Sequence, residues 1–177
     1  MPARSGHAAA GRSTELLVYG GQTDPPSTQE PVWRFDPITG FWSVGYDWET
    51  GRRTGHSVGI LGNNLYIVGG SQTDPKAFVQ QADLDLLFIA DFSTSGPFTP
   101  TLRTEQATAF APLNDFIIIA GGQAITTTAT MSDVWQLDVA SHTWTRLPDL
   151  PQKLTYAKAA AYYESAARPA EPGAFPN

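Results

Sequence analysis

Apolar and polar positions along this chain recur in a fixed order. In Gly55–Gly70, GHSVGILGNNLYIVGG, small side chains, a short polar turn and an apolar run end in paired glycines. The same order closes at Gly20-Gly21 and at Gly121-Gly122. The pairs stand 49 and 52 residues apart, the period of a stacked or radial array of like units. Short apolar runs bounded by Gly, Pro, Asn and Asp predict strands joined by tight turns, so the fold class is all-β.

Three units follow, over residues 4–51, 53–101 and 103–151. In the first, His7 to Ala10 is a strand of small residues, GRST a turn, and Leu16 to Tyr19 an apolar strand reaching the glycines. The prolines of QTDPPSTQEP then forbid regular structure. Val32 to Phe35 alternates like a strand, Asp36-Pro37 with Gly40 turns, and Phe41-Trp42 opens a fourth strand. The second unit repeats QTDP after its glycines. LLFIADF is predicted as its third strand, with Phe88, Phe98 and Asp91 in the places of Trp33, Trp42 and Asp36. In the third unit, VWQLDVASHTW sets Trp135 and Trp144 nine apart, as Trp33 and Trp42 are, and Asp138 matches Asp36.

A partial fourth unit, 153–163, is expected to begin with a strand from Thr155 to Tyr163. Propensity alone also reads AKAAAYYESAAR as a helix. Residues 164–177, rich in Pro and Gly, are expected to be a disordered tail or linker.

The pattern has a physical logic. Strands nearest a common axis are crowded, so small residues belong on the first strand of each unit. Large rings fill the wider wedge between neighbouring sheets, each burying roughly 150–250 Å². At about 25 cal/mol per Å² that is several kcal/mol per ring before entropy. Trp33, Trp42, Trp135 and Trp144 are therefore expected in the core. Asp36, Asp91 and Asp138 sit at turn starts, where a carboxylate bonds local N–H groups, a structural duty.

A glycine pair after an apolar strand, then V-W-x-apolar-D and a Trp nine residues on, resembles the kelch repeat. The resemblance implies a kelch-like β-propeller fragment, about three four-stranded antiparallel blades plus one extra strand. The third unit departs from it, with Glu105-Gln106 standing near the Gly6-His7 and Gly55-His56 of the others. The resemblance further implies that one face of the blades, carrying the loops after the glycine pairs, binds a protein partner. Arg4, Arg53 and Arg103 recur at that face, and family members use such arginines on acidic peptides. His7, His56 and Gln106 are the matching residues beside them. A guanidinium fork serves equally well to tie blades together through carbonyls, and both roles stay open.

Composition removes other classes. The net charge is -6 and the eleven Lys and Arg are scattered, so the phosphate backbone of a nucleic acid is not the expected partner. With no cysteine, disulfides, thiolate metal sites and the Cys–Tyr copper site of kelch-like galactose oxidase are excluded. Only three histidines exist, and a metal site needs three or four donors, so neither metal nor cofactor is expected. GxSxG, HExxH, P-loop and GxGxxG are absent, and no enzyme is predicted, although two facing loop carboxylates would leave a hydrolase open. Without an apolar leader or a run of about 18 apolar residues, no membrane association is expected and the cytoplasm is the default. Two alternatives stand beside the protein-binding module: a carbohydrate-binding or sugar-processing propeller, and a half-propeller that closes by self-association, because three blades cannot enclose a channel.

Overall fold

The computed structural model describes residues 3–12, 14–23, 31–46, 53–72, 78–85, 88–94 and 99–161. Among them are sixteen strands and no helix. Twelve strands form three four-stranded antiparallel sheets, each ordered as the chain runs. The first holds β2 (Ala8–Arg12), β3 (Glu15–Tyr19), β5 (Val32–Phe35) and β6 (Trp42–Tyr46). The second holds β7 (Arg53–Leu61), β8 (Asn64–Gln72), β9 (Val79–Asp83) and β10 (Phe88–Asp91). The third holds β12 (Ala107–Ala111), β13 (Phe116–Ala120), β15 (Val134–Asp138) and β16 (Thr143–Leu147). Two short ribbons, β1 (Arg4–Ser5) with β4 (Gln22–Thr23) and β11 (Arg103–Thr104) with β14 (Gln123–Ala124), extend the inner hairpins past the glycine pairs. In the second sheet the same ribbon is continuous with β7 and β8, pairing Arg53 with Gln72.

The inner strands β2, β7 and β12 lie side by side around an open channel of about 520 Å³. Crowding there is literal: a Cβ on Gly59 of β7 would stand 2.1 Å from the ring of Phe110 on β12. The glycine pairs are held as tightly. Gly69 and Gly70 have φ of +66° and +90°, and a Cβ on Gly69 would lie 2.8 Å from the Arg103 carbonyl of the next blade. Only glycine satisfies both the left-handed backbone and the approach.

Hydrophobic burial lies between blades. Leu17, Tyr19 and Val32 of the first sheet meet Leu65, Ile67 and Ala82 of the second. Tyr66, Val68, Val79 and Phe92 of the second meet Ile117, Ile119, Trp135 and Trp144 of the third. Among the described residues no other blade packs on the outer face of the first, so Trp33 is half-buried and Trp42 is 39% exposed, resting on Phe35 with centroids 5.0 Å apart. The expectation that all four tryptophans are core thus holds for Trp135 and Trp144 and fails for the first unit.

The second unit is also registered differently from the expectation. Its third strand is VQQAD, and FIAD, Phe88–Asp91, from the run expected as the third, instead supplies the fourth strand. Ile67, Val18 and Ile119 occupy matching sites, and their ladder partners are Gln80, Trp33 and Trp135, so Gln80 takes the tryptophan position. Asp83 replaces Asp91 as the turn residue, accepting the Asp85 N–H at 2.8 Å as Asp138 accepts Ala140 at 2.9 Å. Ile89, opposite Ala82, stands where Trp42 and Trp144 stand. An apolar run makes a good strand anywhere; the ladder from the glycine pair decides which strand it becomes. Phe98 lies outside the described residues.

Residues 154–161 are neither helix nor paired strand, but they follow the path of a fourth inner strand. The Gly122 N–H donates to the Leu154 carbonyl at 2.7 Å, as Gly21 donates to Arg53 at 2.9 Å. No ladder forms because no second strand of that unit lies beside it among the described residues; positions from 162 on, including the expected tail, are outside them.

The interblade core makes a direct prediction. Trp144→Ala is expected to cost about 3–5 kcal/mol, whereas Trp42→Ala costs about 1 kcal/mol or less at concentrations where the chain is monomeric. Urea unfolding of the two variants checks this, and equal losses would contradict the placement of Trp144 between blades.

Candidate functional site

The predicted residues gather at one end of the blades, around the ribbons beyond the glycine pairs. Each leading arginine turns back into its own blade and donates to the first glycine carbonyl of its own pair: Arg4 to Gly20 at 2.8 Å, Arg53 to Gly69 at 3.1 Å, Arg103 to Gly121 at 3.0 Å. Arg53 and Arg103 are 1% and 0% exposed, and Arg4 is half-buried. Buried cations need partners. Arg103 grips Asp133 with two donors, at 2.8 and 2.7 Å, and the Trp135 indole N–H donates to the same carboxylate at 2.6 Å. Burial alone would raise the Asp133 pKa; the bonds from Arg103 and Trp135 outweigh it and hold the carboxylate below its ordinary value. In the second blade the acid is one step removed: Arg53 donates to the Gln80 carbonyl oxygen at 3.0 Å, and the Gln80 amide donates to Asp91 at 3.0 Å. Burial pulls the Arg53 guanidinium below its ordinary value, opposed by the nearby Tyr19 and Asp91. These bonds of the arginines run within a blade, not from blade to blade.

The ties between blades come from the neighbouring positions. His56 Nε2 stands 3.2 Å from the Tyr19 carbonyl, and Gln106 Nε2 donates to the Val68 carbonyl at 2.9 Å. Tyr19 and Val68 each precede a glycine pair, so imidazole and amide perform one task in successive units. His56 is 4% exposed and its ring meets Tyr19 edge-on. Burial, then the charge of Arg53, depresses its pKa to about 3, so the ring is neutral at neutral pH. His7 is exposed and opens onto the channel beside Lys158. At the outer edge, His142 forms the corresponding bridge, stacked on Phe92 of the second blade at 4.3 Å with Nδ1 2.9 Å from the Ser93 carbonyl. Among the described residues no three His, Asp or Glu side chains converge as a metal site would require.

Backbone bonds complete this end. Gly55 and Glu105 take φ of +64° and +55°, and Tyr156 takes +56°. The Glu105 N–H donates to the Gly55 carbonyl at 2.8 Å, and the Tyr156 N–H to the Glu105 carbonyl at 3.0 Å, forming a stair from blade to blade. Glu105 and Gln106 thereby stand where Gly55 and His56 stand. On this rigid frame three large apolar side chains reach solvent: Leu102 at 42%, Ile125 at 40% and Tyr156 at 73% exposed. The Ile125 N–H donates to the Leu102 carbonyl at 3.1 Å, which keeps those two together. Sequence reasoning passed over this trio, and over Asp133 and Gln80; the Asp two residues before Trp135 was the available signal for the first partner. Gln22 and Thr23 of the first QTDP loop are described, but most of both loops lies outside the described residues.

Comparison with known proteins agrees with this architecture. Residues 1–162 match the KLHDC2/KLHL20/DRC7 Kelch-repeats domain family. The chain belongs to the kelch-repeat family, whose domains are in general protein-interaction modules. It is 30% identical over 146 residues to acyl-CoA-binding domain-containing protein 5 of Arabidopsis thaliana, covering 80% of this chain and 22% of that protein. It is 25% identical over 170 residues to the Kelch-like protein terF of Aspergillus terreus, covering 90% of this chain and 37% of that protein. The chain thus spans about a fifth of the length of the Arabidopsis relative.

Two predictions concern the buried polar groups. Arg103→Ala strands the Asp133 carboxylate and is expected to cost about 3–5 kcal/mol, a fall in Tm on the order of 10 °C; an unchanged Tm would mean that the guanidinium holds nothing in place. His56 loses stability in acid, because an unfolded chain with an ordinary imidazole pKa near 6.5 takes up a proton that the folded chain refuses until about pH 3. Its contribution is complete above pH 6.5 and declines as pH falls toward 3. His56→Gln, which copies Gln106, is expected to remove that decline, so wild type weakens relative to the variant by up to about 1.4 kcal/mol per pH unit. Urea midpoints at pH 7 and 4.5 measure it, and parallel losses would refute it.

Proposed function

We infer that this chain is a non-enzymatic kelch-type module that binds a partner protein through the blade end carrying the ribbons beyond the glycine pairs. The observation that carries the reading is the exposure of Leu102, Ile125 and Tyr156 on backbone fixed from beneath by Arg103, Asp133 and the interblade stair. Apolar side chains held on a rigid frame lose little entropy on docking, which suits them as contact anchors. The arginines act here from within, by setting the height of the ribbons. Arg4, the arginine of the predicted set with accessible surface, together with Lys158 at the channel, lends the same end the positive charge that an acidic segment of the partner would meet, and the exposed His7 ring lies beside them. The cytoplasm is the proposed compartment.

Site-specific photocrosslinking tests the reading. A photoreactive residue at Ile125 or Tyr156 is expected to capture a discrete protein partner, and Leu102→Asp is expected to reduce that capture at least tenfold without lowering Tm. The same probe at Leu113, 75% exposed at the opposite end of the third blade, serves as control. Equal capture from Leu113, or capture indifferent to Leu102→Asp, would overturn the assignment of the binding end.

A further inference from the structure

The outermost strands β6, β10 and β16 line the perimeter of the array, and the ladders put their residues in register. Trp33, Gln80 and Trp135 occupy equivalent sites, and their partners on the outermost strands are Val44, Asp91 and Arg146. All three partners are exposed, Arg146 included, although the third blade packs against the second. Exposure at this position is therefore a property of the perimeter and does not depend on a neighbouring blade. What differs is the side chain. Two blades place a charge at the open edge, a common guard against pairing with another chain. The first places Val44 there, 54% exposed, on a strand, WSVGY, with no charge and no proline. Phe41, just before that strand, is 75% exposed where the third blade has Thr143.

The backbone of that edge is free in an ordered way. No strand among the described residues lies beyond β6. The Asp36 N–H donates to the Phe41 carbonyl at 3.0 Å, so Phe41 faces β5. Alternation along the strand then turns Ser43 toward β5 and the N–H and C=O groups of Trp42 and Val44 outward. We propose that β6 pairs with β6 of a second copy of this chain, antiparallel and about a two-fold axis at Ser43. The register follows from the free groups. With Ser43 opposite Ser43, Trp42 meets Val44 of the other copy and the two exchange both backbone hydrogen bonds, once on each side of the axis. Each such pair sets an aromatic ring beside a β-branched side chain, a favourable cross-strand combination. Phe41 falls opposite Gly45 of the other copy, where a ring covers what glycine leaves bare. The same pairing in the other blades would draw Asp91 or Arg146 into the seam, which is why the first blade and not those is assigned to it. Two four-stranded sheets become one of eight strands, and a two-fold contact closes on itself, so assembly stops at the dimer. The contact uses the perimeter alone, and neither the ribbons nor the faces between blades.

The chain has no cysteine, so an introduced thiol reports the axis without background. Residues opposite each other in a non-hydrogen-bonded antiparallel pair have Cα atoms about 4.5 Å apart, within reach of a disulfide. Ser43→Cys alone, at micromolar concentration under mild oxidation, is expected to give a disulfide-linked dimer. Thr145→Cys, at the equivalent position of β16, is expected to give at least tenfold less. Light scattering of the unmodified chain is expected to show a dimer that dissociates on dilution. Val44→Arg and Val44→Asp, which copy Arg146 and Asp91, are expected to weaken that dimer at least tenfold in Kd and to leave the Tm of the monomer unchanged. Equal crosslinking from Thr145→Cys, a monomer at all concentrations, or a dimer indifferent to both Val44 variants overturns the proposal.

Discussion

Every blade is positioned by a backbone-to-backbone approach that leaves no room for a side chain. The N–H of the second glycine in a pair donates to a carbonyl of the following unit, from Gly21 to Arg53 at 2.9 Å and from Gly122 to Leu154 at 2.7 Å. A Cβ on the first glycine would stand 2.6 Å from that carbonyl at Gly20 and at Gly121. The distance between neighbouring inner strands is therefore set by main chain, and the apolar side chains of β3, β8 and β13 meet the next sheet at a separation they did not choose. Tryptophans on the third blade fill that separation, and the ring of Phe110 lies where Gly59 leaves space.

Arginine is the second constraint, because it stabilises the bend that the glycines permit. A left-handed glycine turns its carbonyl away from the ladder, and a buried carbonyl without a donor is costly. In each unit a guanidinium supplies that donor, and the charge it brings must then be neutralised. The third blade does so with Asp133 directly, the second with Asp91 relayed through Gln80. The loss of a tryptophan at position 80 is thus linked to the absence of an acid two residues before it, where Phe78 stands in place of Asp133. One local change in the repeat is offset by another in the same blade.

These constraints separate what is rigid from what is available. His56, Gln106 and His142 are used between blades, and their polar atoms face carbonyls of the preceding unit. His7 keeps the same position with its ring exposed, no preceding unit lying beside it among the described residues. The surface on offer among the described residues accordingly includes the apolar residues raised on the ribbons.

The number of units, their all-β character and the turn roles of Asp36 and Asp138 were legible in the residues themselves, since glycine pairs and Asx turns act over a few positions and leave a periodic trace. The register of the second unit was not. Phe88 and Asp91 mimic the spacing of Trp33 and Asp36, and only the ladder pairing Ile67 with Gln80 shows that VQQAD is the third strand. Nor could spacing tell that Arg53 and Arg103 point inward while Trp42 faces water. A repeat assigns equal residues to equal places, but burial depends on whether another blade stands alongside, and that neighbour is a property of the assembled array. Local geometry is encoded where it occurs; coverage of a face is decided only by what tertiary contact brings against it.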